Sequence, residues 1–407
     1  MSVLLLQGPL GPFFESLAER LRKEGETVHR VVFNGGDSLF ADKNAIRYRG
    51  APGQQWQTFF SALLKRLNVH AVLVYGDCRV YHLDVKKTCG NLDIPYFAFE
   101  EGYLRPNYIT LEAGGVNGHS PLRLADFRGL KPLHSVAGEQ YVGGNFLRRA
   151  WYASAYYCTA AATKLSFRAY QHHRSFSPVS EAFCWVRSGL RKQLYKFTQR
   201  NVLLAICEAP FFLVPLQVFN DAQLLHHSCY TSIAQFIREV LESYQQSGLT
   251  AQLVFKHHPM DRGHVHYGRL IREISAELAV SNRVHYVHDL HLPTLLKHVS
   301  GVITINSTTA LQAFYHAAPV KVMGDAFFDM PGLTDQKPLE DFWHAPQQPD
   351  TLLADSFRHY LVEHGQINGS FYSKLPMTLD NLVPYMKTLG IIRNTPQGSW
   401  YRFRAQG

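Results

Sequence analysis

Short apolar runs and longer amphipathic stretches alternate through the early chain. "SVLLLQG" precedes "FFESLAERLRKEG", "TVHRVVFNGG" follows, "WQTFFSALLKRLN" leads into "AVLVYGD", and "IPYFAFEEG" closes the series. The unbroken apolar runs predict strands buried on both faces, and the amphipathic stretches predict the helices that cover them. Strands alternating with helices predict a parallel sheet over residues 1 to about 125. Glycines and polar residues fall directly after the runs, where open α/β sheets bind ligands beyond the strand carboxyl ends.

A second alternation starts near Pro210. It runs "FFLVPLQVFND", helix "SIAQFIREVLESYQQSG", "AQLVFKHHP", helix "YGRLIREISAEL", "VHYVHD", helix "LPTLLKHV", "GVITINS", helix "TALQAFYHA" and "PVKVMG". Residues 141–200 separate the two sets, lack strand alternation and predict helix. No fixed-period repeat or low-complexity tract is present. The pattern therefore predicts an α/β protein of two Rossmann-like domains facing a cleft, with a helical segment between them. Such pairs occur in two-domain glycosyltransferases of the GT-B kind, in sugar-nucleotide epimerases and in other α/β proteins, so the pattern by itself chooses no reaction.

Composition sharpens this picture in three places. A chain of 407 residues, 46% hydrophobic, can bury the cores of two domains. The net charge of +9 is concentrated: Arg148, Arg149, Lys164, Arg168, Arg174, Arg187, Arg191, Lys192, Lys196 and Arg200 face the single acid Glu181 between residues 141 and 200. Trp151, Tyr152, Tyr156, Tyr157, Trp185 and Tyr195 interleave with them, a composition suited to anionic lipid headgroups; nucleic acid is the competing partner, and no nucleic-acid motif accompanies the patch. The six cysteines are scattered without metal-ligand spacing, which suits a reducing cytosol. The opening "MSVLLLQGPLGPFF" lacks the features of a signal peptide, and "NVLLAICEAPFFLVPLQVF" carries Glu208, Pro210 and Pro215, so no membrane-spanning helix is expected.

Several strand ends carry candidate chemistry. Glu100 and Glu101 close one run and precede Gly102 and Arg105; they are either working acids or an ion pair with Arg105 or Arg79. Asn220 and Asp221 follow another run, and Asp221 is either a catalytic acid or a helix cap. Lys256, His257 and His258, turned by Pro259, gather positive charge suited to a phosphate, or form a solvated basic turn. Ser307, Thr308 and Thr309 stand where a helix begins and can either cap it or face an anion. Gln7, Asn34, Asp37, Asp77, Arg79 and His82 are further polar residues after strands, and the Arg79 guanidinium can grip a carboxylate. No DxD-like motif appears near them, so neither a metal nor any other cofactor is expected.

Together "LLLQGPLGPFF", "VVFNGGD", "GDCRVYH", "FEEGYLRPNYITLEAGGVNG", "SFSP", "RKQLYKFTQR", "LQVFNDAQ", "KHHPMDRGH", "YVHDLHLPTLL" and "TINSTTAL" resemble the KpsS/LipB-type capsule polysaccharide proteins of Gram-negative bacteria. The resemblance covers residues from about 3 to about 375 and leaves the last thirty or so unmatched. It implies a GT-B-like, retaining β-Kdo glycosyltransferase that uses CMP-Kdo and places the first Kdo on lyso-phosphatidylglycerol. It implies Asp221 as nucleophile and Glu100 or Glu101 as acid/base, with Arg105, Arg79, Asn220 and Gln7 near the sugar. Lys256, His258, Pro259, Ser307 and Thr308 are expected to hold CMP. The expected divisions are an acceptor-side domain at 1–135, a basic lipid-facing segment at 136–205, a nucleotide-binding domain at 206–335, and C-terminal helices and a tail at 336–407. The expected place is cytoplasmic, peripheral on the inner membrane, in contact with other capsule assembly proteins and not with nucleic acid. A non-catalytic export adaptor, or an enzyme using a uridine sugar nucleotide, remain the alternatives.

Overall fold

The computed structural model describes residues 1–124, 139–144, 146–171, 178–199 and 201–393. The "SFSP" motif, Arg174, Arg200 and the C-terminal tail fall wholly or mainly outside them. In chain order the strands are β1 (Ser2–Leu6), β2 (Thr27–Val32), β3 (Ile46–Arg47), β4 (Ala71–Tyr75), β5 (Tyr96–Glu101) and β6 (Tyr108–Ala113), then β7 (Phe211–Pro215), β8 (Gln252–Lys256), β9 (Val284–Val287), β10 (Gly301–Thr304), β11 (Val320–Val322) and β12 (Gln366–Asn368). They form two sheets, ordered β12-β6-β5-β4-β1-β2-β3 and β11-β10-β7-β8-β9. The second sheet is parallel throughout, and so is the first from β5 to β3. This is the α/β architecture that the apolar runs predict, because β1, β4 and β7 are buried along almost their whole length and must be covered on both faces.

The first sheet departs from a wholly parallel arrangement at one edge. β6 runs antiparallel to β5, and β12 antiparallel to β6. The cause is the short link of residues 102–107, which has no room for the crossover helix that a parallel pair requires. β12 comes from beyond the second sheet, and the helix Leu375–Thr388 follows it onto the first. Leu379, Leu382, Val383 and Met386 share a core there with Val3, Leu5, Phe13 and Leu111. Gln366 in β12 locks the link: its Oε1 accepts from the N–H groups of Tyr103 (2.8 Å) and Leu104 (3.3 Å), and its Nε2 donates to Thr110 Oγ1 at 2.8 Å.

Residues 141–200 do form helices, Phe146–Ala162 and Pro178–Thr198. Each is seated on a different half through glycine. Cβ atoms at Gly35 and Gly36 would overlap Thr163 and Tyr156, so "NGG" lets the helix Phe146–Ala162 approach the first sheet. A Cβ at Gly263 would lie 1.9 Å from the carbonyl oxygen of Cys184, so "DRG" does the same for the helix Pro178–Thr198 at the second sheet. The apolar run 201–219 splits into the helix Val202–Cys207 and strand β7, and no helix among the described residues is long and apolar enough to cross a membrane.

The glycine after the acid pair has a similar steric cause. A Cβ at Gly102 would stand 2.1 Å from the backbone oxygen of Tyr108. Gly102→Ala is therefore expected to cost roughly 1–3 kcal/mol by forcing β5 from β6. Gly90→Ala, with nothing within 4 Å of its added Cβ, is the control that should leave the melting temperature unchanged or slightly raised.

Candidate active site

Glu100 and Glu101 end β5, and because side chains alternate along a strand they point to opposite faces of the sheet. Glu101 is tied down. Its Oε1 accepts from the Tyr372 hydroxyl at 2.9 Å and the Tyr75 hydroxyl at 3.4 Å, and lies 3.5 Å from Arg149 Nη1. The Arg149 guanidinium in turn rests 5.1 Å from the centre of the Tyr372 ring. Among the described residues Glu100 is held through its Oε1, which accepts the Glu101 N–H at 2.9 Å. Burial, aided by the charges of Glu101 and Asp77, pushes its carboxyl up to about 7. A carboxyl titrating there can take or give a proton at neutral pH.

The strand ends beside β5 form the floor. Asp77, after β4, accepts the Val116 N–H at 3.1 Å and pairs with His119 Nδ1 at 3.0 Å. Burial opposes ionisation of Asp77, but His119 and the Val116 N–H outweigh it and hold the carboxyl below its usual range. Arg79 donates to the carbonyls of Gln7 and Gly8, both at 3.1 Å, and sits 4.7 Å from the Tyr75 ring centre. Gln7 is buried, its amide donating to Tyr170 and Asp37. Asp37 also accepts the Tyr156 hydroxyl at 2.9 Å, so the Gln7 side chain serves the seat of the helix Phe146–Ala162. Arg105 is exposed and donates to its own turn at Gly102.

From the second sheet, Asp221 caps the one-turn helix Ala222–His226, accepting the Gln223 N–H at 3.0 Å, with half-buried Asn220 before it. A pair that the sequence did not flag anchors this turn. Gln217 donates to Asn306 Oδ1 at 2.8 Å, and Asn306 Nδ2 donates to the carbonyls of Gln223 (3.1 Å) and His227 (3.0 Å). Lys256, 9% exposed, is kept below its usual range by burial, while Asp289 is engaged by Arg262. His258 Nδ1 accepts the Met260 N–H at 3.2 Å, so a neutral His258 carries its proton on Nε2. Burial, then the charges of Arg105, Lys256, His257 and Arg149, push that imidazole down to about 3. Ser307 Oγ accepts the Thr309 N–H at 3.2 Å, ordinary capping geometry, and half-buried Thr308 begins the helix Thr309–Tyr315.

The two halves converge on this floor. Cys78 Sγ of the first half lies 3.8 Å from His227 Nε2 of the second; burial raises the Cys78 thiol, and the charges of Asp77, Glu100 and Asp221 act on it in the same direction. Arg105 and Arg149 act likewise on His258 across the seam. Cys78, His119 and His227 also cluster there, a grouping that sequence spacing did not reveal. Two surface cavities elsewhere, one lined by Gln57, Lys65 and Asp84 and one by Leu104, Phe314 and Phe357, contain no comparable chemistry.

Two mainly parallel sheets meeting over carboxylates, a buried lysine and a neutral histidine define an α/β protein with its polar site at the strand carboxyl ends. A family described as capsule polysaccharide biosynthesis protein matches residues 70–372. The capsule polysaccharide export protein KpsS of Escherichia coli is 42% identical over 375 residues, covering 91% of this chain and 96% of that protein. The capsule polysaccharide modification protein LipB of Neisseria meningitidis serogroup B is 38% identical over 393 residues, 92% of each. The fold is also similar to Thermosulfurimonas dismutans KpsC, beta Kdo 2,7 transferase, at 14% identity and a TM-score of 0.45, over 95% of this chain and 100% of that one. The chain belongs to the capsule polysaccharide biosynthesis protein family.

The two neighbouring acids should respond oppositely to neutralisation. A folded-state value of about 7 against an ordinary 4.5 means that Glu100 favours the fold below pH 4.5, and that this advantage is lost as pH rises through 7. Glu100→Gln is therefore expected to raise stability at pH 8 by roughly 1–3 kcal/mol relative to its effect at pH 4.5. Glu101→Gln should instead cost about 1 kcal/mol at neutral pH, through the lost Tyr372 and Arg149 contacts. Denaturant unfolding of both variants at the two pH values checks this.

Proposed function

We propose that this protein is a retaining β-Kdo glycosyltransferase that moves Kdo from CMP-Kdo to lyso-phosphatidylglycerol, starting the poly-Kdo linker of a capsular polysaccharide. The observation that carries the reading is the meeting of strand ends from the two sheets: Cys78, just after β4, lies 3.8 Å from His227, which ends the turn that Asp221 caps, and Glu100 closes β5, the strand beside β4. Retention calls for two acids. One carboxylate attacks the anomeric carbon while the phosphate leaves with its electron pair, giving a glycosyl ester. The acceptor hydroxyl then attacks that carbon from the opposite face, its proton passing to the second acid, and the ester carboxylate is released. Asp221 is the nucleophile. Glu100 is the acid/base, because its carboxyl titrates near neutrality while Glu101 is engaged by two hydroxyls and a guanidinium.

The departing CMP falls to the second half. Lys256 supplies charge, the His258 Nε2–H supplies a donor beside the Pro259 turn, and Ser307 and Thr308 supply a helix start. Kdo carries a carboxylate on its anomeric carbon, and Arg105 and Arg79 offset its repulsion from Asp221, with Asn220 next to Asp221 in the same turn and the Gln7 backbone carbonyl holding Arg79. No metal or other cofactor takes part in these steps.

The helix Pro178–Thr198 supports a lipid acceptor. Phe183, Val186, Leu190, Leu194 and Phe197 are all exposed at spacings of three and four, one continuous apolar stripe. Exposed Leu147 and Trp151 on the helix Phe146–Ala162 add to it. Such a face beside basic residues suits a cytoplasmic enzyme lying on the anionic inner membrane, near other capsule assembly proteins, and does not suit nucleic acid. Two of its cations serve the fold: Arg187 donates to the carbonyls of Gly263 and His264, and Arg191 to that of Arg262 at 2.8 Å.

Incubation with CMP-Kdo and a fluorescent lyso-phosphatidylglycerol should yield a Kdo-lipid. Asp221→Ala should reduce its formation at least ~10³-fold without changing CMP binding, and intact mass of trapped wild type should show a Kdo ester on Asp221. If wild type forms no Kdo-lipid, the reading fails and an export adaptor takes its place. For the membrane face, replacing Leu190, Leu194 and Phe197 with Ser should weaken sedimentation with anionic vesicles by about tenfold or more. Unchanged sedimentation would remove the lipid role from this helix.

A further inference from the structure

Cys78, His119 and His227 are far apart in sequence and meet where the halves join. Cys78 follows β4, His119 lies in the turn after β6, and His227 follows the short helix capped by Asp221. One donor atom from each lies within 4.8 Å of the other two. Cys78 Sγ is 3.8 Å from His227 Nε2, and the two imidazole rings stand edge to face with centres 4.5 Å apart.

The surroundings fix two of these side chains for ligation. Asp77, itself buried, lies 3.0 Å from His119 Nδ1; in the tautomer with the hydrogen on Nδ1 it accepts that N–H, and the Nε2 lone pair is left available, the arrangement by which carboxylates orient metal-bound histidines. The His227 backbone is pinned by Asn306 Nδ2 at 3.0 Å and the Asp325 N–H at 2.8 Å. Gly118 packs so closely under the His227 ring that a Cβ there would stand 2.2 Å from Nδ1.

We propose that Cys78, His119 and His227 bind one transition-metal ion of the zinc class, with Asp77 orienting His119. A thiolate and two imidazoles are the donors that such ions prefer, and the absence of oxygen donors from the trio disfavours magnesium and calcium. Tetrahedral bonds of about 2.3 Å to sulfur and 2.0 Å to nitrogen imply donor separations of roughly 3.3–3.6 Å. A small contraction of the trio meets that requirement. On binding, the Cys78 thiol releases its proton to solvent and its sulfur pair forms the metal–sulfur bond, while both imidazoles bind neutral. The complex keeps a net positive charge beside Asp77, Glu100 and Asp221. With two ligands from the first half and one from the second, the ion would tie the halves together at the proposed catalytic floor.

The full-length protein, stripped with a chelator, tests this without any sugar donor, so its outcome is separate from that of the transfer assay. Zinc titrated by calorimetry and counted by elemental analysis should bind at one ion per chain. Cobalt should show a thiolate charge-transfer absorption that disappears in Cys78→Ser, and affinity should fall about 10–100-fold or more in His119→Gln and His227→Gln. The His119 side chain is 46% exposed, so its variant reports on the site even if His227→Gln fails to fold. Absence of stoichiometric zinc binding in wild type, or binding unchanged in both Cys78→Ser and His119→Gln, overturns the proposal.

Discussion

Asp77, Glu100 and Glu101 gather at the strand ends of the first sheet, with Asp221 at a strand-end turn of the second, and desolvating so much like charge governs what surrounds them. Each acid is met differently. Asp77 has a backbone N–H and a histidine, Glu101 has two tyrosine hydroxyls and Arg149, and Asp221 is spent in part on capping a helical turn. Glu100 has one backbone donor and is raised by burial. Adjacent residues of one chemistry thus acquire separate characters from the donors on each face of β5, since hydrogen bonds to the ionised form favour it and burial opposes it. The C-terminal excursion of the chain matters for the same reason: it carries Tyr372 to Glu101 and Gln366 to the turn that follows.

The helical segment between the halves is constrained by the same geometry. Its first helix sits on "NGG" and its second on "DRG", each glycine removing the Cβ that would hold the helix off. Tyr156 buries its hydroxyl against Asp37 and Asn34, and Arg187 spends its guanidinium on carbonyls of the second half. Once those faces are consumed by docking, the apolar residues of the second helix have only solvent or another phase to meet. The membrane reading therefore rests on the leftover face of each helix and not on the count of cations, several of which are structural.

Much of this was legible in the sequence because the strands are unbroken apolar runs and their ends are punctuated by Gly, Pro and charge. The second sheet follows the pattern strand for strand. What the pattern missed are pairings set by tertiary contact. β6 is not among the predicted strands, since the series closes at β5, and the shortness of the link between them makes it antiparallel. Gln217 and Asn306 look like ordinary strand-end amides until the fold sets them together. Cys78, His119 and His227 have no motif spacing, because each lies in a different connection. "FNGGD", whose Asn34 and Asp37 look like further polar residues after a strand, proves to be a docking seat, and a glycine pair beside a buried acid was the available signal.

The two halves also divide the response to pH. In the second, burial and neighbouring positive charges push His257 down to about 4 and His258 and His288 to about 3. These three imidazoles are neutral well below physiological pH, so the positive charge beside them comes from Lys256 and Arg262. A protonated histidine there would add charge beside Lys256 and Arg262 in a desolvated setting, which is why the neutral form prevails. In the first half Glu100 titrates at about 7. On the proposed mechanism, the Glu100 ionisation is therefore the one that would carry a pH dependence near neutrality from the first half.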